Sequence, residues 1–187
     1  TVIGADLGRK HDFSAFIPMN SARQAMAVYR SQEDWPLQRK QLATLSMMHG
    51  FARLIVDSAG VGDPFVQELR AAGLQVQGVN TASTEKRVII DHLALAFENN
   101  TIGIPDDQTL IEELEAYTYE VLPSGQTRYS APEGGFDDTV IALALATWGQ
   151  RGSVGMYAAA QAGSTYMGTS GGGSYMHAGR TNSTWPL

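Results

Sequence analysis

Cysteine is absent from the 187 residues, which excludes disulfides, thiolate catalysis and thiolate-ligated zinc. Histidine is scarce, and the four, at positions 11, 49, 92 and 177, show no metal-ligand spacing. Any metal must therefore be held mainly by oxygen, which favours a hard ion such as magnesium, manganese or calcium. There is no run of 18 or more apolar residues and no basic, apolar, small-residue leader. Neither a membrane span nor a signal peptide is expected, and the reading is cytosolic. A GxxxxGKS/T loop is also missing, so no independent ATPase site is expected.

What is present suits one globular domain: 43% of residues are hydrophobic, enough for a substantial core. The net charge of −6 argues at first against nucleic acid, but it is unevenly placed. Residues 1–58 carry seven Lys/Arg against five acids, residues 59–138 four against fourteen, and the remainder two against none. Part of the acidic excess, as in Ile111-Glu112-Glu113-Leu114-Glu115, reads as a solvated helical face. The rest is a set of isolated aspartates at strand or helix ends.

Three β-like runs, at about 1–7, 13–19 and 25–30, suggest an antiparallel meander. A helix from Pro36 to Gly50 follows, then a strand Arg53–Val56 ending in Asp57, and a helix from Asp63 or Pro64 to Ala72. Leu74–Val79 reads as a strand, and Ser83 or Thr84 opens a helix reaching about Asn99. After a short extended piece at Ile102–Ile104 come a helix over 108–116 and a hairpin turning at Pro123-Ser124-Gly125-Gln126. A last helix spans Phe136–Trp148, led by EGGFDD. Meander strands followed by strand–helix alternation imply an α/β fold, a mixed sheet with helices on its faces. Residues 151–187, rich in Gly, Ser, Ala, Thr, Tyr and Met, read as a flexible or docking tail to a domain spanning 1–150.

Asp6 sits at the end of an apolar strand, where an unpaired carboxylate is costly. Asp57 ends the fourth strand, and Asp137 and Asp138 open the last helix. If strands one and four are neighbours, Asp6 and Asp57 share an edge, and the Gly-Gly before Phe136 lets the last helix approach it. Like charges so gathered repel without a cation. Two divalent ions roughly 3.5–4 Å apart satisfy such a cluster, one activating water and the other stabilising the leaving oxygen of a phosphodiester. Taken singly, each aspartate is better read as a turn or helix-capping group; the joint pattern favours a metal site.

The segments GADLGRKHDFSAF, LIVDSAGVGDP, EKRVIIDHLALAFENNTIGIP and YSAPEGGFDDTVIALALA, in this order over residues 3–147, resemble the C-terminal nuclease domain of the tailed-bacteriophage terminase large subunit. That family belongs to the RNase H-like (retroviral integrase) superfamily. The resemblance implies an RNase H-like nuclease with Asp6, Asp57, Asp137 and Asp138 as catalytic metal ligands, Asp12 as an auxiliary acid, and two magnesium or manganese ions. It implies cleavage of concatemeric double-stranded viral DNA during packaging, in the cytoplasm of an infected bacterium. The partners implied are an N-terminal ATPase domain of the same protein, the portal protein and the small terminase subunit. Where many relatives have histidine before the last Asp-Asp pair, this chain has Phe136.

Arg9 and Lys10, and Lys86 and Arg87, are candidate contacts to DNA phosphates or, equally, solvated surface cations. Ser58, Gly60 and Gly62 form a small-residue loop beside Asp57, and His92, among apolar helix residues, reads as structural. A Holliday-junction resolvase or transposase-like nuclease would use the same carboxylate chemistry. A non-catalytic DNA-binding or assembly module of a packaging motor is a further alternative, to which the acidic balance gives weak DNA binding.

Overall fold

The apolar run that opens the chain becomes β1 (Val2–Asp6), the middle strand of a five-stranded mixed sheet. The computed structural model describes residues 1–8, 12–59, 62–82, 84–121, 127–131 and 135–151. After β1 come β2 (Ser14–Met19), β3 (Tyr29–Ser31), α1 (Trp35–Met48), β4 (Arg53–Asp57), α2 (Gly62–Ala71) and β5 (Val76–Val79). Then follow α3 (Thr84–Glu98), α4 (Gln108–Ala116), the hairpin strands β6 (Thr118–Val121) and β7 (Thr127–Ser130), and α5 (Asp138–Gly149). The sheet order is β3-β2-β1-β4-β5, antiparallel through the meander and parallel from β1 to β4 to β5.

Side chains alternate across the sheet with the strand period of two. Ile3 and Ala5 of β1 and Leu54 and Val56 of β4 pack with Leu42, Leu45, Phe65 and Leu69 from α1 and α2. On the opposite face, Val2 and Ile55 pack with α3, α4 and α5. The same alternation assigns Gly4 and Asp6 to the α5 face, with Ile55 and Asp57 beside them. Each fully buried aliphatic side chain in these layers stabilises the fold by about 1.5–3 kcal/mol. α5 is the innermost helix, buried on all sides from Asp138 to Thr147. Its intimacy with the sheet rests on Gly4, where a Cβ would stand 2.5 Å from Ala146 N and closer still to Ala142 O.

Several expected boundaries move. The third strand is confined to Tyr29–Ser31, because a turn at Asn20–Gln24, with Arg23 at φ +60°, diverts the chain. Ala25 then makes only an isolated bridge to Met19. β5 starts at Val76 because Leu74 N donates back to Leu69 O at the end of α2. The piece at Ile102–Ile104 contributes a single bridge, Gly103 to Gln24. α1 follows the sequence closely: Asp34 caps it by accepting from Leu37 N at 3.2 Å, and Gly50 at φ +69° ends it. Among the described residues no helix is long and apolar enough to cross a membrane. Arg9, Lys10, Gly60, Gly134, the turn Pro123-Ser124-Gly125-Gln126 and the segment from Gly152 onward lie outside the described residues.

Candidate active site

β1 and β4 run parallel with Ala5 opposite Val56, so Asp6 and Asp57 close adjacent strands at the same sheet edge and on the same face. α5 begins at that edge, since Ala142, one turn after Asp138, lies against Gly4, two residues before Asp6. The close approach is thus made by the glycine in β1, while Gly135 is exposed. Asp6, Asp57, Asp137 and Asp138 are electrostatic neighbours. Burial pushes the Asp6 carboxyl well above the ordinary carboxylate value, the charges of Asp57, Asp138 and Asp137 push it further, and Lys86 draws it back. Asp138 is pushed up to about 6, by burial first, then by Glu113 and Asp137; Arg30 opposes the shift and Asp12 adds to it. Asp12 itself is exposed.

Each carboxylate is held differently. Asp57 accepts from Ala59 N at 2.8 Å, from Thr81 N at 3.3 Å and from the Thr81 hydroxyl. It therefore serves its local turn as well as facing the cluster. Asp137 accepts from Lys86 Nζ at 3.0 Å. Asp138, 9% exposed, has Arg30 Nη2 at 3.6 Å, and its Oδ2 is buried without a hydrogen-bond partner.

The first turn of α5 is capped from another helix. Asp137 occupies the N-cap position but makes no side-chain capping bond. Glu113, from α4, does that work instead: its Oε2 accepts from Thr139 N at 2.9 Å and from Thr139 Oγ1 at 2.6 Å. Neither Asp137 nor Asp138 is consumed in ending the helix. The reading of Glu113 as part of a solvated face is corrected here. It is 8% exposed and paired with Arg30 at 3.4 Å, whereas Glu112 and Glu115 on either side are exposed. The spacing Leu110, Glu113, Leu114 places it on the buried stripe of α4, a signal the sequence did contain. Arg30, Thr81 and Tyr117 were also missed. Tyr117 is buried behind the cluster, and its hydroxyl pKa is raised by burial and then by Asp137 and Asp6.

Other candidates fall elsewhere. Lys86 faces the carboxylates, and Arg87 pairs with Asp91 one turn along α3 at 3.4 Å. His92 lies against Arg23, 3.4 Å from its Nη2, and burial lowers its pKa, in keeping with a structural role. A groove of about 660 Å³ between β3 and α1 shares Arg30 but includes none of the four aspartates.

The donor set suits a hard cation: clustered carboxylate oxygens, one of them a buried orphan, with Asp6 and Asp138 raised in pKa first by burial and then by neighbouring carboxylates. They form a neighbourhood rather than a closed cage. Among the described residues no three acidic or histidine side chains are already set to hold one ion, with Asp57 engaged by Thr81 and Asp137 by Lys86.

No family model matches the chain. The curated large terminase subunit of Thermus phage G20c is 34% identical over 147 residues, covering 77% of this chain and 30% of that protein. The chain thus spans about a third of that relative's length. The crystal structure of the large terminase nuclease from thermophilic phage G20c with bound magnesium is 33% identical, with a TM-score of 0.72 and 79% of each chain covered. The nuclease domain of the large terminase subunit gp2 of bacterial virus Sf6 shares the fold at 12% identity, with a TM-score of 0.62 over 78% of this chain and 86% of that one.

Proposed function

The chain belongs to the nuclease-domain family of bacteriophage large terminases, with its RNase H-like fold, and on that premise we propose that it is a divalent-metal-dependent endodeoxyribonuclease. Its substrate is concatemeric double-stranded viral DNA, cut during genome packaging in the cytoplasm of the infected host. The observation that carries this reading is the meeting of Asp6, Asp57, Asp137 and Asp138 at one sheet edge, with Glu113 relieving the last two of capping. The magnesium-bound relative supports a divalent ion.

Asp6, Asp57, Asp137 and Asp138 would hold two magnesium or manganese ions, with Asp12 at the margin. Such a pair supplies an activated water and stabilisation of the leaving oxygen. The chain's own residues prepare for this. Thr81 fixes the rotation of Asp57, and Glu113 with Arg30 fixes the first turn of α5 and hence Asp138. Lys86 keeps a positive charge beside Asp137 and Asp6. Phe136 stands where a histidine base would be sought, so the proposed mechanism uses no imidazole. Arg9, Lys10, Lys86 and Arg87 remain proposed phosphate contacts. The N-terminal ATPase domain, the portal protein and the small terminase subunit are proposed partners, with residues 151–187 a proposed docking tail.

A plasmid-cleavage assay in EDTA, magnesium or manganese, with the parent chain and Asp57→Asn, tests the reading. Nicking and linearisation that need metal and vanish in the variant are expected. A folded parent inert in both metals would leave the assembly-module alternative and a nuclease that acts only together with its ATPase domain, and the same assay on the longer protein separates the two.

A further inference from the structure

Phe136 directly precedes Asp137 and is 45% exposed at the rim of the carboxylate cluster. A single exposed apolar side chain is ordinary on a protein surface. This one is mounted. Its ring meets that of Phe13 edge-to-face, with centroids 5.7 Å apart at 87°, and the Arg30 guanidinium carbon lies 4.0 Å from the Phe13 centroid. Arg30 is itself tied to Glu113 and Asp138. The exposed ring is therefore built onto the same network that sets the last helix, and its position relative to Asp138 is fixed.

The charges around the site make such a ring useful. Lys86 is paired with Asp137, Arg30 with Glu113 and Asp138, and Arg87 with Asp91. Lys86 and Arg30, beside the cluster, are thus already engaged with carboxylates, and without a bound cation the aspartates repel phosphate. Attraction to DNA that does not depend on charge has to come from base contacts, and stacking on an aromatic face supplies it without sequence preference.

We infer that Phe136 is a nucleobase platform, on which a base unstacked next to the scissile phosphate rests while that phosphate lies over the aspartates. This rests on the nuclease reading above and adds a substrate contact to it. Unstacking is least costly where the base is mismatched, frayed or single-stranded, so the platform gives the site a preference for such positions over a perfectly paired duplex.

The test measures fluorescence anisotropy of short labelled oligonucleotides in magnesium at fixed salt, on the Asp57→Asn background so that the DNA stays intact. Single strands, perfect duplexes and duplexes with one mismatch are compared, with Phe136 unchanged or replaced by Ala, Leu or Trp. The expected result is roughly 5- to 150-fold weaker binding of single-stranded and mismatched DNA by Phe136→Ala and Phe136→Leu, the range of one base–aromatic stack. Phe136→Trp should retain the affinity, and an abasic position in the oligonucleotide should mimic the loss only when Phe136 is present. Leu keeps the apolar contact with Phe13 but has no π-face, so full affinity in Phe136→Leu overturns the inference. Equal affinity in Phe136→Ala overturns it too, and both results leave the nuclease reading standing. A Phe136-containing protein that binds no DNA at all overturns both.

Discussion

Replacing Gly4 by alanine tests the link between sheet packing and site geometry. The new Cβ would stand 2.5 Å from Ala146 N, 3.0 Å from Ala146 Cβ and nearer still to Ala142 O. Two of these are helix backbone atoms, which cannot turn aside as a side chain can. Restoring ordinary contact, near 3.5 Å for non-bonded atoms, requires β1 and α5 to part by more than about 1 Å, because Ala142 O is the nearest of the three. Overpacking of this kind costs about 1–3 kcal/mol, and rigid neighbours push the value to the upper end. The displaced helix carries Asp137 and Asp138, and a misplacement of about 1 Å in a reacting constellation lowers the rate about 100-fold. Urea denaturation followed by circular dichroism reads the first effect, and the initial rate of plasmid nicking in manganese reads the second. Gly50→Ala is the control. Its φ of +69° strains any alanine by about 1–2 kcal/mol, but its Cβ would meet nothing within 4 Å, so its rate should be unchanged. A Gly4→Ala protein with the parent's midpoint and rate, or a Gly50→Ala protein that slows as much, would refute the reasoning.

Glu113→Ala removes one of the two carboxylates beside Arg30 and uncaps α5, and a loss of about 0.5–2 kcal/mol is expected from the missing cap, whereas Glu113→Gln, which still accepts from Thr139, should lose clearly less. Equal losses in the two denaturation curves would contradict the capping assignment. Thr81→Val removes the hydroxyl that orients Asp57 and should weaken metal affinity or activity by about 10- to 100-fold, read from cleavage rate against manganese concentration. An unchanged titration would count against that role. In EDTA, Asp138 holds its proton more tightly folded than unfolded, because its pKa is near 6 against an unfolded value of about 3.9. Its contribution to stability is therefore greatest below about pH 4 and is lost as pH rises through 6. Asp138→Asn should flatten that part of the stability–pH curve, and an unaltered slope would show that the proton is not held there.

What could be read from the sequence divides along physical lines. Asp6 and Asp57 were legible because an aspartate that closes an apolar strand breaks the pattern around it, and the parallel pairing of β1 and β4 then brings the two together. The strand and helix order came through because hydrophobic periodicity is local. The supporting shell did not. Arg30 is one of three residues in a short strand, and nothing near it in sequence announces Glu113, which lies more than eighty positions away. Glu113 was recoverable from its spacing with Leu110 and Leu114, but a charged residue on an apolar stripe is identified as buried only when its partner is known. Gly4 looked like one more small residue in a strand until α5 was seen to lie on it.

α5 is both the centre of the main core and the source of two of the four clustered carboxylates, and it is the last helix described in the chain. Order of synthesis therefore matters. A nascent chain that has emerged only as far as the hairpin has Asp6 and Asp57 but lacks both the partner acids and the helix that packs against the sheet. A fragment that stops at the hairpin is therefore short of two of the four clustered carboxylates and of the centre of the main core at once.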